Sequence, residues 1–352
     1  MGNMLASNLT AKSFAANMIN GTFDFGNYLQ IFNSPSPITY GDIVEFSEEI
    51  QSSKIDFDFT KIYLCNNQID SDGILGVIKI LSIPCMKNVR EIALSHNNFG
   101  IEGINSLVRF LNDNYTIENL FLCGNNIGIS GVSALFAGLQ TNTTLTELFI
   151  GSNNLGDDGV LVFAEFLSQN TTLKLLDLSF NDIANIGATA LALALQNNVS
   201  LNVLNLYGNN VEDNGAIAIA EMLQINRSLT SIDFKMNNIN SDGITALGFA
   251  MQINTTLLEI NLKNNCFNEY LNNNGLYNIQ KGIFNNLLLW ENQFWSPWGS
   301  KYFQLQGVIM TALLCNQEFD SRLPDYVWKY IFSFCCPKNF NIYYSYKFYT
   351  NL

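Results

Sequence analysis

The chain has 352 residues, 48% of them hydrophobic, with 30 acidic against 17 basic side chains, a formal net charge of −13 and a pI near 4.4. That balance speaks against nucleic acid and membrane as partners, since both are recognised by clustered lysine and arginine, and it leaves a basic protein partner open. The length suits one extended repeat domain with terminal caps and no second large domain.

Taken in chain order, Met1 to Asn20 lacks a basic region followed by an apolar run, so no secretory signal is expected, and no later stretch approaches a transmembrane span. Phe23 and Phe25 fit a short strand, and Ile43 to Ile50 fit the helix of a degenerate entry repeat, so residues 1–53 are expected to form an N-terminal cap. From there an asparagine recurs every 28 residues, at Asn97, Asn125, Asn153, Asn181, Asn209, Asn237 and Asn265. A glycine keeps the same interval at Gly103, Gly131, Gly159, Gly187, Gly215 and Gly243. A constant period of this length marks a stacked repeat.

Each unit changes period half-way. Leu145, Leu148 and Ile150 alternate with variable residues, the pattern of a half-buried strand, and Asn153 follows. After the glycine, apolar residues fall at helical spacing, as in Val132, Leu135, Phe136 and Leu139. A strand, a turn and a returning helix would leave apolar faces wet in isolation, so neighbours must stack. Where the chain leaves the strand, a buried amide with donors and an acceptor can satisfy backbone groups of both adjacent turns. The first unit, Lys61 to Asn88, is expected to have a helical segment two residues longer, since Asn67 and Gly73 precede Asn97 and Gly103 by 30. The last is stretched, with Gly275 lying 32 residues after Gly243 and Asn273 to Asn286 supplying its helix. Residues 54–286 thus hold about eight units of 28–32 residues.

The pattern L-x-x-L-x-L-x-x-N-x-I-x-x-x-G, over about Lys61 to Asn286, resembles the ribonuclease-inhibitor-like leucine-rich repeat. The resemblance implies an α/β leucine-rich-repeat solenoid: a right-handed horseshoe with a parallel sheet on the concave side and helices outside. Proteins with such repeats include ribonuclease inhibitors, innate immune sensors, Ran GTPase activators and secreted effectors of intracellular bacteria. These residues show neither the nucleotide-binding domain of the sensors nor the acidic tail of the Ran activators, and the resemblance leads us to expect a lone repeat domain such as an effector acting in host cytosol or a housekeeping scaffold.

Asn114, Asn142, Asn170, Asn198, Asn226 and Asn254 each open an Asn-x-Ser/Thr sequon. We read them as turn residues that close the helix and redirect the chain, not as glycosylation sites. The seven cysteines (Cys65, Cys85, Cys123, Cys266, Cys315, Cys335, Cys336) are scattered and odd in number, which fits reduced thiols in the cytoplasm. His96 is the sole histidine, no phosphate-binding or dinucleotide fingerprint appears, and Cys335–Cys336 lacks metal-ligand spacing, so neither catalysis, metal nor cofactor is expected.

Function must then lie at the variable strand positions, which line the concave face in columns ~4.8 Å apart per strand. The central column reads Tyr63, Ala93, Phe121, Phe149, Asp177, Asn205, Asp233, Asn261. Beside it run Cys65, Ser95, Cys123, Gly151, Ser179, Tyr207, Lys235, Lys263 on one side and Lys61, Glu91, Asn119, Glu147, Leu175, Val203, Ser231, Glu259 on the other. Aromatic anchors beside a polar rim are how interfaces concentrate energy. The expected partner-binding residues are Tyr63, Phe121, Phe149, Asp177, Phe180, Tyr207, Asp233, Lys235 and Glu259, with a monomer binding an unidentified protein. The competing reading is that the concave aromatics shield one another or are covered by the protein's own terminal segment.

Residues 287–352 are expected to form a helical C-terminal cap, with a helix over Lys301 to Cys315. Leu323-Pro-Asp-Tyr-Val-Trp-Lys-Tyr-Ile-Phe-Ser-Phe334 places Val327, Ile331 and Phe334 on one helical face. This segment resembles the opening helix of F-box and SOCS-box adaptors, which implies an alternative function as a substrate receptor for a cullin-type ubiquitin ligase. A further alternative is a regulator of a GTPase or nuclease.

Overall fold

Alternating residues in the first half of each unit give a three-residue strand, and helical spacing in the second half gives the helix that returns beneath it. The computed structural model describes residues 28–30, 37–52, 58–267 and 273–294. Its elements run β1 (Tyr28–Gln30), α1 (Tyr40–Ser52), β2 (Lys61–Tyr63), α2 (Ser71–Leu81), β3 (Glu91–Ala93), α3 (Gly100–Asn112), β4 (Asn119–Phe121), α4 (Gly128–Leu139), β5 (Glu147–Phe149) and α5 (Gly156–Gln169). They continue as β6 (Leu175–Asp177), α6 (Asn185–Leu195), β7 (Val203–Asn205), α7 (Asp213–Ile225), β8 (Ser231–Asp233), α8 (Ser241–Ala250), β9 (Glu259–Asn261) and α9 (Asn273–Phe294). The strands form one parallel sheet in chain order, β1 to β9. This is the α/β solenoid that the 28-residue period implies.

The register places like residues side by side. Ile62, Ile92, Leu120, Leu148, Leu176, Leu204 and Ile232 form one row across the sheet, all shut off from solvent against the helices. Leu107, Leu135, Phe163, Leu191, Ile219 and Leu247 close the core from the helical side. Helices α2 to α8 each carry a glycine at the third or fourth position because the helix there packs against the side chain four residues back. A Cβ on Gly131 would come 2.5 Å from the Ile127 Cγ2 atom.

The 28-residue asparagines are buried and bridge neighbouring turns. Asn153 Oδ1 accepts from the backbone N–H groups of Asn125 (2.9 Å) and Ile127 (3.2 Å), one repeat back. Its Nδ2 donates to the carbonyls of Leu122, Ile150 and Gly151, each at 3.0 Å. Asn97 and Asn209 bind the preceding turn in the same manner.

The sequon asparagines form a second ladder at the opposite edge. Nδ2 of Asn198 donates to Leu167 O and Asn170 O, while its Oδ1 accepts from Ser200 N and Leu201 N. Asn226 and Asn254 repeat the arrangement and are likewise buried. The amide nitrogen that would carry a glycan is therefore inside the fold and already bonded.

A third ladder lies outside the asparagine and glycine pattern described above. Asp157 Oδ1 accepts from Ala184 N and Gly187 N, capping the helix of the next repeat. Asn185 does the same for Glu212 N and Gly215 N, and Asp213 for Asn240 N and Gly243 N. The signal was available: these capping residues also recur every 28 positions, but each sits one repeat away from the helix it caps.

The structure shows an entry strand and changes one local expectation. The entry strand is Tyr28–Gln30, where Leu29 enters the core opposite Ile62, while Phe23 and Phe25 lie outside the described residues. The two extra residues of the first unit do not lengthen its helix. They fall in the return to β3, where Pro84–Met86 forms a single tight turn, because proline suits the start of a turn whose first N–H is unbonded. The chain divides into two compact units, Met1–Leu289 and Trp290–Leu352. Residues Met1 to Asn20, the Lys301 to Cys315 helix, the Leu323 to Phe334 element and Cys335–Cys336 lie outside the described residues.

Candidate functional site

The open face of the sheet divides into an apolar half and a polar half. In the apolar half, Phe121 and Phe149 sit in register on adjacent strands with ring centroids 4.2 Å apart and planes 6° from parallel. Each is only 6% exposed, and with Cys65, Ala93 and Leu175 they form a small core of their own, flanked by Tyr63, Cys123 and Val203. The expectation that Phe121 and Phe149 stand open to a partner thus meets the competing one, and these rings cover each other. Apolar side chains in register ~4.8 Å apart lose less free energy by stacking than by facing water singly. Tyr63 is also engaged, its hydroxyl donating to Glu91 Oε1, while Lys61 Nζ pairs with Glu91 Oε2 at 3.0 Å.

In the polar half, aspartate and asparagine alternate along the central column and bind one another. Asn205 Nδ2 donates to Asp177 Oδ2 at 2.9 Å, and Asn261 Nδ2 donates to Asp233 Oδ2 at 3.0 Å. The other oxygen of each aspartate accepts from the backbone two residues on, Ser179 N at 2.8 Å and Lys235 N at 2.7 Å. Both carboxylates therefore brace the strand exits. Asp177 is buried, which pushes its carboxyl up; the bonds from Ser179 and Asn205 oppose that, and the charge of Asp233 adds to it. Burial likewise raises Asp233, against the Lys235 N–H, Asn261 and the Lys235 charge.

Along the outer column, burial raises Glu147, with the charge of Glu91 adding and that of Lys61 opposing. Glu259, an exposed residue, is raised by desolvation first and then by Asp233, against a bond from Ser231 Oγ at 3.2 Å. The Cys65 thiol is pushed up to about 11 by burial, and Cys123 is raised by burial and by Asp177, so both are poor nucleophiles. His96 is exposed, with its ring over Gly124, where a Cβ would meet Nδ1 at 2.6 Å. Among the described residues no group of histidine, cysteine and carboxylate side chains is placed to hold a metal.

The side chains that reach solvent gather where β6, β7 and β8 end. Phe180 is 45% exposed and meets Tyr207 edge to face, with centroids 4.6 Å apart. Lys235 Nζ lies 5.0 Å from the centroid of the same tyrosine ring, and Met236, 43% exposed, follows it. Of the nine expected contact residues, Phe180, Tyr207, Lys235 and Glu259 thus present surface, whereas Tyr63, Phe121, Phe149, Asp177 and Asp233 are engaged within the sheet face. Met236 was missed because methionine at that position carries no motif; its place after Lys235 in the column was the available signal.

A leucine-rich repeat family model matches residues 141–164, 169–192, 197–220 and 226–248. These segments are leucine-rich repeats. The paired strands and the asparagine ladder continue the same unit on both sides of them, from β2 to β9. Among solved structures, the chain is similar to leiomodin-1 actin-binding site 2, at 20% identity and a TM-score of 0.42, covering 51% of this chain and 97% of that one. It is also similar to the tropomodulin C-terminal domain of Caenorhabditis elegans, at 15% identity and a TM-score of 0.40, covering 46% and 96%. No curated protein matches the chain in sequence.

Proposed function

We propose that this leucine-rich-repeat chain is a non-catalytic protein-binding module that captures a protein partner on the open face of its sheet, in the cytoplasm. The observation that carries the reading is the in-register array of side chains on a face that no helix of the described residues covers, ending in exposed Phe180 and Glu259 with half-buried Tyr207 and Lys235. An aromatic group ringed by charges is the composition of an interface anchor. Raised cysteine thiols and the lack of a metal cluster among the described residues support binding over chemistry. The acidic balance supports protein over nucleic acid. Cys65, Cys85, Cys123 and Cys266 form no disulfide, and no helix of the described residues is long and apolar enough to cross a membrane, which supports a reducing, aqueous compartment.

Affinity capture with the full chain tests this. Wild type, a face variant (Tyr207→Ala with Glu259→Lys) and an outer-helix variant (Leu161→Asp) would be compared after circular dichroism has shown all three folded. The reading expects a partner retained by wild type and the outer-helix variant and lost by the face variant. Loss on the outer helix with retention on the face would refute it.

A further inference from the structure

The position just before each ladder asparagine has left-handed backbone in every unit: Asn66, His96, Gly124, Ser152, Phe180, Gly208, Met236 and Asn264 all have φ between 51° and 67°. Asparagine and glycine adopt this conformation readily, whereas for other side chains it costs ~1–2 kcal/mol. Phe180 and Met236 therefore stand where neither backbone preference nor core packing calls for a large apolar group, and both are substantially exposed. The Phe180 ring is laid along the stack over Gly208, where a Cβ would come within 2.4 Å of it. Two strand spacings, ~10 Å, separate the Phe180 and Met236 positions, about the width of one side chain between them.

Charge around this rim is one-sided. In the same units the turns and first helical turns that follow the strands carry Asp182, Glu212, Asp213 and Asp242, with Glu259 on β9; one oxygen of Asp213 caps the next helix and one of Glu212 accepts from Asn185 Nδ2. The cations there are Lys235, already seated on the Tyr207 ring, and Lys263. Helix N-termini favour acidic residues for their own reasons, so the charge alone marks nothing. Its coincidence with exposed Phe180 and Met236 does.

We propose that the strand-exit rim formed by Phe180, Tyr207 and Met236 docks a cationic segment of a partner protein, whose apolar side chain packs on Phe180 and Met236 while its lysine or arginine groups meet the surrounding carboxylates. This deepens the protein-binding reading above and rests on it. The occupant is cationic because an anionic segment would meet five carboxylates, Asp182, Glu212, Asp213, Asp242 and Glu259, against the two cations Lys235 and Lys263.

The test uses the full chain and an array of synthetic peptides in three classes: cationic with leucine or phenylalanine, cationic with serine, and anionic with leucine or phenylalanine. Cationic–apolar peptides should bind about tenfold more tightly than either other class, the factor that ~1.4 kcal/mol of anchor contact supplies. Phe180→Asn, which suits the left-handed backbone and so folds, should lower that binding about tenfold, and raised salt should weaken it further. Leu193→Ser on the outer helix should leave it unchanged. Preference for anionic peptides, capture of no class, or unchanged binding by Phe180→Asn would overturn the proposal. In that last case, loss of capture by Glu147→Lys, on the sheet face away from the rim, would leave the broader face reading standing. Unchanged capture by both variants would remove both.

Discussion

Replacing Asn153 with alanine isolates what one rung of the buried ladder contributes. Five hydrogen bonds end on this side chain, two accepted by Oδ1 and three donated by Nδ2. The three carbonyls each keep another partner: Leu122 O still accepts from Asn125 Nδ2, Ile150 O from Asn181 Nδ2, and Gly151 O from Gly124 N. The loss therefore falls on the N–H groups of Asn125 and Ile127, both buried residues. A buried donor left unsatisfied costs ~1–3 kcal/mol, so Asn153→Ala should destabilise by ~2–6 kcal/mol. That is a large share of the ~5–15 kcal/mol typical of a whole domain. Asn265→Ala, at a half-exposed rung whose Oδ1 accepts from the Ile239 N–H and whose Nδ2 donates to Phe234 O and Leu262 O, should lose less, ~1–3 kcal/mol, because one N–H rather than two loses its acceptor. Urea denaturation followed by circular dichroism, with the exposed Thr171→Ala as control, measures all three. A loss at Asn153 below ~1 kcal/mol, or no larger than at Asn265, would refute the assignment of the ladder as the main bond between turns.

Other outcomes follow from the same geometry. Phe149→Ala should cost ~3–5 kcal/mol in stability, since its ring is buried against Phe121, and a loss of less than a third of that by urea denaturation would show the pair to be dispensable packing. Burial raises Glu147, Asp177, Asp233 and Glu259, so the folded chain binds these protons more tightly than the unfolded one. Their contribution to stability is complete below the ordinary carboxylate range and is lost as pH rises through the raised folded values. The Tm should accordingly fall as pH rises out of the ordinary carboxylate range, about 4, toward neutrality, and a Tm that rises over that interval contradicts it. Met236→Gly should raise stability by roughly 0.5–1 kcal/mol by relieving left-handed backbone at an exposed side chain, read as a higher urea midpoint. Forced through a glycosylating secretory route, folded protein should carry no glycan at Asn198, Asn226 or Asn254, whose amides are buried; mass spectrometry of the folded fraction decides this.

The sequence by itself determined the solenoid. A 28-residue beat of leucine, asparagine and glycine imposes strand, turn and helix in every unit, and identical units can bury their faces only by stacking in register. The role of the ladder asparagines and the structural use of the sequons were legible for the same reason, since a repeated residue reports a repeated local environment. Tertiary structure decided the rest, because it depends on what one repeat does to the next. Whether Phe121 and Phe149 face solvent turns on their stacking across β4 and β5, and whether Asp177 and Asp233 are available turns on Asn205 and Asn261 one strand away. Those contacts join residues 28 apart whose side chains vary freely between repeats. Periodicity names the column in which each stands, and only packing reveals that Phe180 reaches solvent with Tyr207 against it and Lys235 over the Tyr207 ring.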